Sequence, residues 1–438
     1  MIKQPLDDIP SASYATSFDT ASRKETRSLF KSMRKRDIFA SLLSLFGSTF
    51  GIGSLGLPGK MADVGPALWF SLLGLAIFVN YITYDHMIYF ADQLGLVNFV
   101  DLATIVGHRK TYITILCLFV ASSFCRLLSA MSVFNSLIAN VAAEFGAENI
   151  YLITKESLIW ICIPSVVLFP ILIKKKMKSL AITTFVSMAS AFYFIFFLAY
   201  SYSTIEREEK PDTKSLDSWT KIPGVYGYLL AVTSCQSNIM AIYNELSTKT
   251  VPIMKKVLWI HHGLFVIFYA GIAFFGYAIF YDDERIVKFQ ILELFRGQKS
   301  VILLIANFLM IVTALNSFVF GFKPLKDTIL KIIQGEPQPA ESSQKKKEET
   351  DFDPLNLLLT LSLLCIFLTF SGIFTLNQIG VLQILTFSSN VVIPILFTFI
   401  PLFAAIKTRP SWIVYSTLGV AAFFYLWKLV DYAMLLLQ

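Results

Sequence analysis

Charge is what this chain has least of. Asp, Glu, Lys and Arg make up 15% of its 438 residues, against about 25% in an ordinary soluble domain. Cysteine is also sparse. The five (Cys117, Cys125, Cys162, Cys235 and Cys365) all fall in apolar stretches, so no extracytoplasmic disulfide framework is implied. Zinc-type spacing and CxxC pairs are missing, as is any Asn-x-Ser/Thr acceptor for glycosylation. There is no P-loop, no nucleotide-binding domain and no Ser-His-Asp set within the apolar stretches, which argues against an ATP-driven pump and against most membrane enzymes. The first 37 residues are polar, so no cleavable signal peptide is expected. The net charge of +7 is not a nucleic-acid signal, because the basic residues lie between apolar segments.

What remains is apolar. Hydrophobic residues make up 55% of the chain, and Phe alone supplies 40. The mean hydropathy is +0.64. Eleven apolar segments stand at about 38–60, 66–90, 111–143, 157–173, 179–202, 224–244, 256–281, 300–322, 355–374, 380–402 and 410–435. Each is near the roughly 20 residues needed to cross a bilayer. The expectation is an all-α integral membrane protein, with the lipid bilayer as its main partner.

Lys and Arg set the orientation. With the N-terminus in the cytosol, connections on that side carry 25 of them and those on the other side 9. Lys174-Lys175-Lys176-Met177-Lys178 is the sharpest mark. Residues 1–37 read as a disordered basic cytosolic tail ending in Arg34-Lys35-Arg36, foremost a topology signal, with docking of regulatory proteins as the alternative. Residues 38–436 then form the membrane domain, with 331–354 as a mobile cytosolic loop.

The first apolar segment contains Gly47, Gly51, Gly53, Gly56, Gly59 and Pro58. That density weakens a helix and suits one that is broken in the membrane, where freed backbone lines a cavity or is buried in protein. The alternative is a glycine-lined packing face between helices, which Gly47 and Gly51 fit equally well. If the first ten segments are two repeats of five, the odd number inserts the second repeat upside down. Its matching break then falls in segment six. Thr233-Ser234-Cys235-Gln236-Ser237-Asn238 is a polar run at that place. Half-helix N-termini there would suit a carboxylate, and half-helix C-termini a cation or an ammonium group. A zwitterionic amino acid needs both.

The candidate substrate residues are Ser48, Thr49, Gly51, Gly53, Ser54, Ser234, Cys235, Gln236, Asn238 and Arg126. Arg126 is the deepest charge in the chain, close to Ser122, Ser123 and Ser129. With no acidic residue at comparable depth, it serves either as a substrate contact or as a structural pair. In segment eight, Thr313, Asn316 and Ser317, with Thr49, are candidate oxygen ligands for a coupling ion; Asn307 is a further polar residue there. Interhelical hydrogen bonding is the equal alternative for the polar residues of that segment. Asp85, His86 and Asp92 are expected at the cytosolic interface, and His261 and His262 near the start of segment seven. No cofactor or metal site is expected.

Gly51-x-Gly53-x-Leu55-Gly56-Leu57-Pro58 resembles the first helix of the amino acid/auxin permease family. Ile242-Tyr243-Asn244-Glu245-Leu246 followed by Pro252, and Lys323-Pro324-Leu325-Lys326, are similar to that family's exits from segments six and eight. The likeness covers segments one to eight and is nearest the sodium-coupled neutral amino acid branch and its vacuolar relatives. It implies eleven helices in a five-plus-five inverted repeat (the LeuT-like fold) with helices 1 and 6 broken. It also implies secondary-active symport of neutral amino acids coupled to Na⁺ or H⁺, by alternating access, at a plasma, vacuolar or lysosomal membrane. Ser317 stands where that branch has a Thr ascribed to Na⁺ binding. Gly47 stands where it has an Asn, so one side-chain ligand is missing and weight moves toward H⁺ coupling or exchange. The alternatives are an amino acid sensor on the same fold and a polytopic membrane enzyme.

Overall fold

A computed structural model describes residues 38–107, 109–146, 168–173, 181–204, 219–246, 249–287, 290–298, 300–333, 354–376 and 393–437. Expectations for the 1–37 tail, for residues 334–353 of the 331–354 loop and for Cys162 fall outside these residues. So do most of segment four and residues 380–392 of segment ten.

The described secondary structure is helical throughout. The first segment is two helices, α1 (Ile38–Thr49) and α2 (Leu57–Val64), joined by a 3₁₀ turn at Ile52–Gly56 and bent by 52°. Then come α3 (Pro66–Gln93), α4 (Arg109–Glu144) and α5 (Ala181–Thr204). Segment six is again two helices, α6 (Lys221–Val232) and α7 (Gln236–Asn244). Helices α8 (Val251–Phe280), α9 (Val301–Ile333) and α10 (Pro354–Leu376) follow. A π-helical stretch (Pro394–Phe399) leads into α11 (Ile400–Thr408), and α12 (Trp412–Leu437) closes the chain. Six of these helices are long and apolar enough to cross a membrane, or seven with the bent pair taken as one span.

Two expectations need correcting. The apolar run of segment eight ends near residue 322, but α9 continues to Ile333 through Pro324. Lys323 and Lys326 are therefore buried on a helix rather than in a cytosolic loop, and Lys326 donates to the Leu172 carbonyl at 2.5 Å. Segment seven begins at Val251, earlier than its apolar run suggests. His261 thus lies about 15 Å into α8 rather than near its start.

Helix α9 packs along α4 and α5, and α8 lies against α2, α3 and α5. Helix α3 flanks both α6 and α7. Close approach depends on glycine: a Cβ at Gly276 of α8 would strike the Pro58 ring, and one at Gly59 would strike the Ile286 carbonyl. The buried apolar side chains form two clusters. Helix α3 supplies Trp69 to Val79 to one and Tyr84 to Ala91 to the other. Helix α8 is divided in the same way, with Phe265 to Ile279 in the first and Met254 to Leu258 in the second. Between them lies a buried polar layer of Asn80 and Thr83 on α3, Ser122 and Ser123 on α4, and His261 and His262 on α8. The second break sits in that layer, and the first reaches it through Thr49 beside His261, while Phe50, Ile52 and Leu55 belong to the first apolar cluster.

Candidate functional site

The first break begins where α1 ends at Thr49. Gly51 is extended (φ −164°, ψ −158°), and the chain re-enters a helix at Ile52. Pro58 sits in the first turn of α2, where a missing N–H costs nothing. Gly51 and Gly53 are there for space. A Cβ on Gly51 would meet the Ser317 hydroxyl of α9, and one on Gly53 would meet the Val232 side chain at the end of α6. The two breaks therefore touch. Gly47 is a different case. Its Cβ would stand 2.7 Å from Phe320 and 2.8 Å from Thr184, so it is a packing contact with no room for a longer side chain.

The second break is shorter than the polar run that marked it. Backbone leaves the helix only at Thr233, Ser234 and Cys235. Gln236 and Asn238, expected in the unwound stretch, belong to the first turn of α7. Their polarity serves neighbouring helices instead. Gln236 Nε2 donates to Asn80 Oδ1 at 2.7 Å and to Thr83 Oγ1 at 3.2 Å. Asn238 Nδ2 donates to the Phe320 carbonyl at 3.3 Å.

Helix α3 holds this break, a role missed in the sequence. Asn80 Nδ2 donates to the Leu230 carbonyl (3.1 Å) and to Thr233 Oγ1 (2.7 Å). Tyr84 Oη donates to the Thr233 carbonyl (2.8 Å) and accepts from the Cys235 N–H (2.7 Å). Asn80, Thr83 and Tyr84 lie three and four residues apart on one face of α3, a spacing that was available as a signal. Two further tyrosines act on the breaks. Tyr228 of α6 donates to the Gly53 carbonyl at 2.6 Å. Tyr269 of α8 lies 3.3 Å from the Thr49 carbonyl and 2.9 Å from that of Val232.

The hydroxyls of Ser48 and Thr49 both bond the Leu45 carbonyl at 2.9 Å, and Thr49 Oγ1 is also 3.3 Å from His261 Nε2. Ser54 Oγ donates to the Gly51 carbonyl at 2.8 Å. Arg126 reaches the second break, with Nη2 3.4 Å from Ser234 Oγ. Among the described residues no carboxylate pairs with it. Asn316 accepts from Thr183 of α5 at 3.0 Å, and its own Nδ2 is buried without a partner. Thr313 is tied to the Leu309 carbonyl of its own helix. Asp85 is paired with Lys255 at 2.6 Å, and Asp92 accepts from Tyr243 at 2.5 Å.

The Ile52–Gly56 turn and α7 present their helix N-termini at the breaks. The Thr49 and Val232 carbonyls, at the ends of α1 and α6, lie beside the Tyr269 hydroxyl, whereas the Leu229 and Ala231 carbonyls accept from the Thr233 and Ser234 N–H groups. Opposite dipole ends of the half-helices thus meet among buried residues.

Solved structures share this architecture. A Na⁺-coupled sialic acid symporter in a substrate-bound outward-open state matches with a TM-score of 0.52 at 11% identity, over 85% of this chain and 78% of that one. MhsT in complex with L-phenylalanine matches with a TM-score of 0.57 at 13% identity, over 90% of this chain and 97% of that one. The fold is the LeuT-like inverted repeat with helices 1 and 6 broken. In sequence, the chain is similar to amino acid transporter AVT6E of Arabidopsis thaliana, 22% identical over 261 residues. That match spans 57% of this chain and about half (53%) of the relative's length. The family model for the transmembrane amino acid transporter proteins matches residues 34–431, and the chain belongs to that family as a multi-pass membrane protein.

Proposed function

We propose that this protein is a secondary-active transporter of neutral amino acids, working by alternating access and coupled to H⁺ or Na⁺. The observation that carries the reading is the pair of touching, largely buried breaks, at 50–56 and 233–235, in a chain of this family. The substrate carboxylate would lie on the N–H groups after Gly51, and its ammonium group near the carbonyl ends of α1 and α6. Arg126, in contact with Ser234 at the second break, would stand beside the same ligand. The family resemblance supports a neutral side chain, and so does the L-phenylalanine held by MhsT. Gly47 supports H⁺ over Na⁺, since Phe320 and Thr184 fill the space an added ligand would need. Lys and Arg asymmetry supports a cytosolic N-terminus, with residues 1–37 as a tail outside the transporter domain. A plasma membrane and a vacuolar or lysosomal one suit the reading equally. The test is a competition panel of all amino acids against one labelled substrate in proteoliposomes, at two pH values and with imposed Na⁺ or H⁺ gradients. Concentrative uptake driven by one gradient supports the proposal. Saturable binding without flux would replace it with a sensor.

A further inference from the structure

The carbonyl ends of two half-helices converge on one hydroxyl. Helix α1 ends at Thr49 and α6 at Val232, and the Tyr269 hydroxyl of α8 lies within hydrogen-bond distance of both carbonyls, at 3.3 and 2.9 Å. A helix C-terminus carries partial negative charge and unpaired carbonyls. Two such ends facing one point favour a cation, and broken-helix transporters use them in that way. Here the point is taken by a phenolic hydrogen. A hydroxyl has only one to give, so the two carbonyls share it. The Tyr269 ring is fully buried, with ring centroids of Phe50 at 6.2 Å and Phe265 at 4.8 Å, so the hydroxyl is held in place by packing. Two basic side chains reach the breaks through side-chain hydroxyls rather than through the Thr49 and Val232 carbonyls. Arg126 contacts the Ser234 side chain, and His261 contacts that of Thr49.

We propose that the Tyr269 hydroxyl is a tethered donor that bridges the two breaks in place of a free monovalent cation, and so is a positioning residue for substrate binding. The proposal rests on the transport reading above for its functional consequence, and on the structure alone for the bridge. Tyr228 supplies the contrast. It is equally buried, but its hydroxyl donates to one carbonyl of one break, that of Gly53.

The experiment compares wild type, Tyr269→Phe and Tyr228→Phe, each variant losing one buried hydroxyl and keeping its ring. Counterflow of a labelled neutral amino acid is measured in Na⁺ and in choline media at one pH. In choline, Tyr269→Phe should raise KM about tenfold or more with Vmax largely kept, as expected when buried carbonyls lose their donor. High Na⁺ should recover most of that loss, because the vacated point can then take a cation. Wild type and Tyr228→Phe should lack this extra response to Na⁺. A Tyr269→Phe KM with the wild-type value and the wild-type Na⁺ response would overturn the inference. So would an identical Na⁺-reversible loss in Tyr228→Phe, which would mark a general effect of a missing hydrogen bond. Thermal melting in detergent decides the bridge without any flux. Na⁺ should raise the melting temperature of Tyr269→Phe more than that of the other two proteins, and an equal effect on all three would refute it. Absence of counterflow in wild type would refute the transport reading instead, leaving the melting comparison to decide the bridge.

Discussion

Replacing Asn80 with Ala tests how the second break is held. Asn80 is fully buried, and its amide makes three hydrogen bonds: to the Leu230 carbonyl, to Thr233 Oγ1 and from Gln236 Nε2. Thr233 keeps its bond to the Leu229 carbonyl at 2.7 Å, and Gln236 keeps Thr83. The Leu230 carbonyl near the end of α6 loses its best partner, and Gln236 loses its shorter one. A buried polar group left unpaired costs about 1–3 kcal/mol. Two weakened groups and a small cavity together predict a loss of about 2–5 kcal/mol. If the clamp shapes the substrate site, even the lower figure is roughly a 30-fold loss of affinity. The assays are thermal melting of the purified protein and KM for counterflow. Asn80→Asp should do no better, since a carboxylate cannot donate to the Leu230 carbonyl. An Asn80→Ala protein with unchanged melting and unchanged KM would refute the claim that α3 holds this break.

Gly51→Val and Gly53→Val should both abolish uptake while leaving membrane insertion intact, as checked by surface labelling. Alanine should separate the two sites: Gly51→Ala retains more activity, because the Ser317 hydroxyl can rotate away, whereas the β-branched Val232 facing Gly53 is stiff. Gly47→Asn should lower stability by about 1–3 kcal/mol through overpacking against Phe320 and Thr184, with no gain of Na⁺-stimulated uptake in a gradient assay. Lys255→Gln should change melting little, under about 1 kcal/mol, because the Asp85 pair it removes is partly exposed.

The first break was legible because glycine and proline act on the backbone directly, and a membrane helix seldom tolerates so many of them unless it is interrupted. The second was legible in place but not in extent. Polar side chains at Gln236 and Asn238 look the same in sequence whether they unwind a helix or bond its neighbours, and here they do the latter. The contacts of Tyr228 and Tyr269 were not legible. Both stand among many aromatics, and only the packing of α6 and α8 brings their hydroxyls to the broken backbone. The depth of His261 was hidden because the apolar run of segment seven begins after its helix does. Its ring stands beside Thr49 only because α8 starts at Val251. Gly47 could be read either as part of the break or as packing, and the neighbours Phe320 and Thr184 place it with packing.

Counterflow of a labelled neutral amino acid in proteoliposomes, wild type beside Gly53→Val, shows whether the two touching helix breaks form a route for an amino acid through the membrane. Saturable counterflow is expected in wild type and none in the variant. Saturable binding by wild type with no counterflow of any amino acid would contradict such a route.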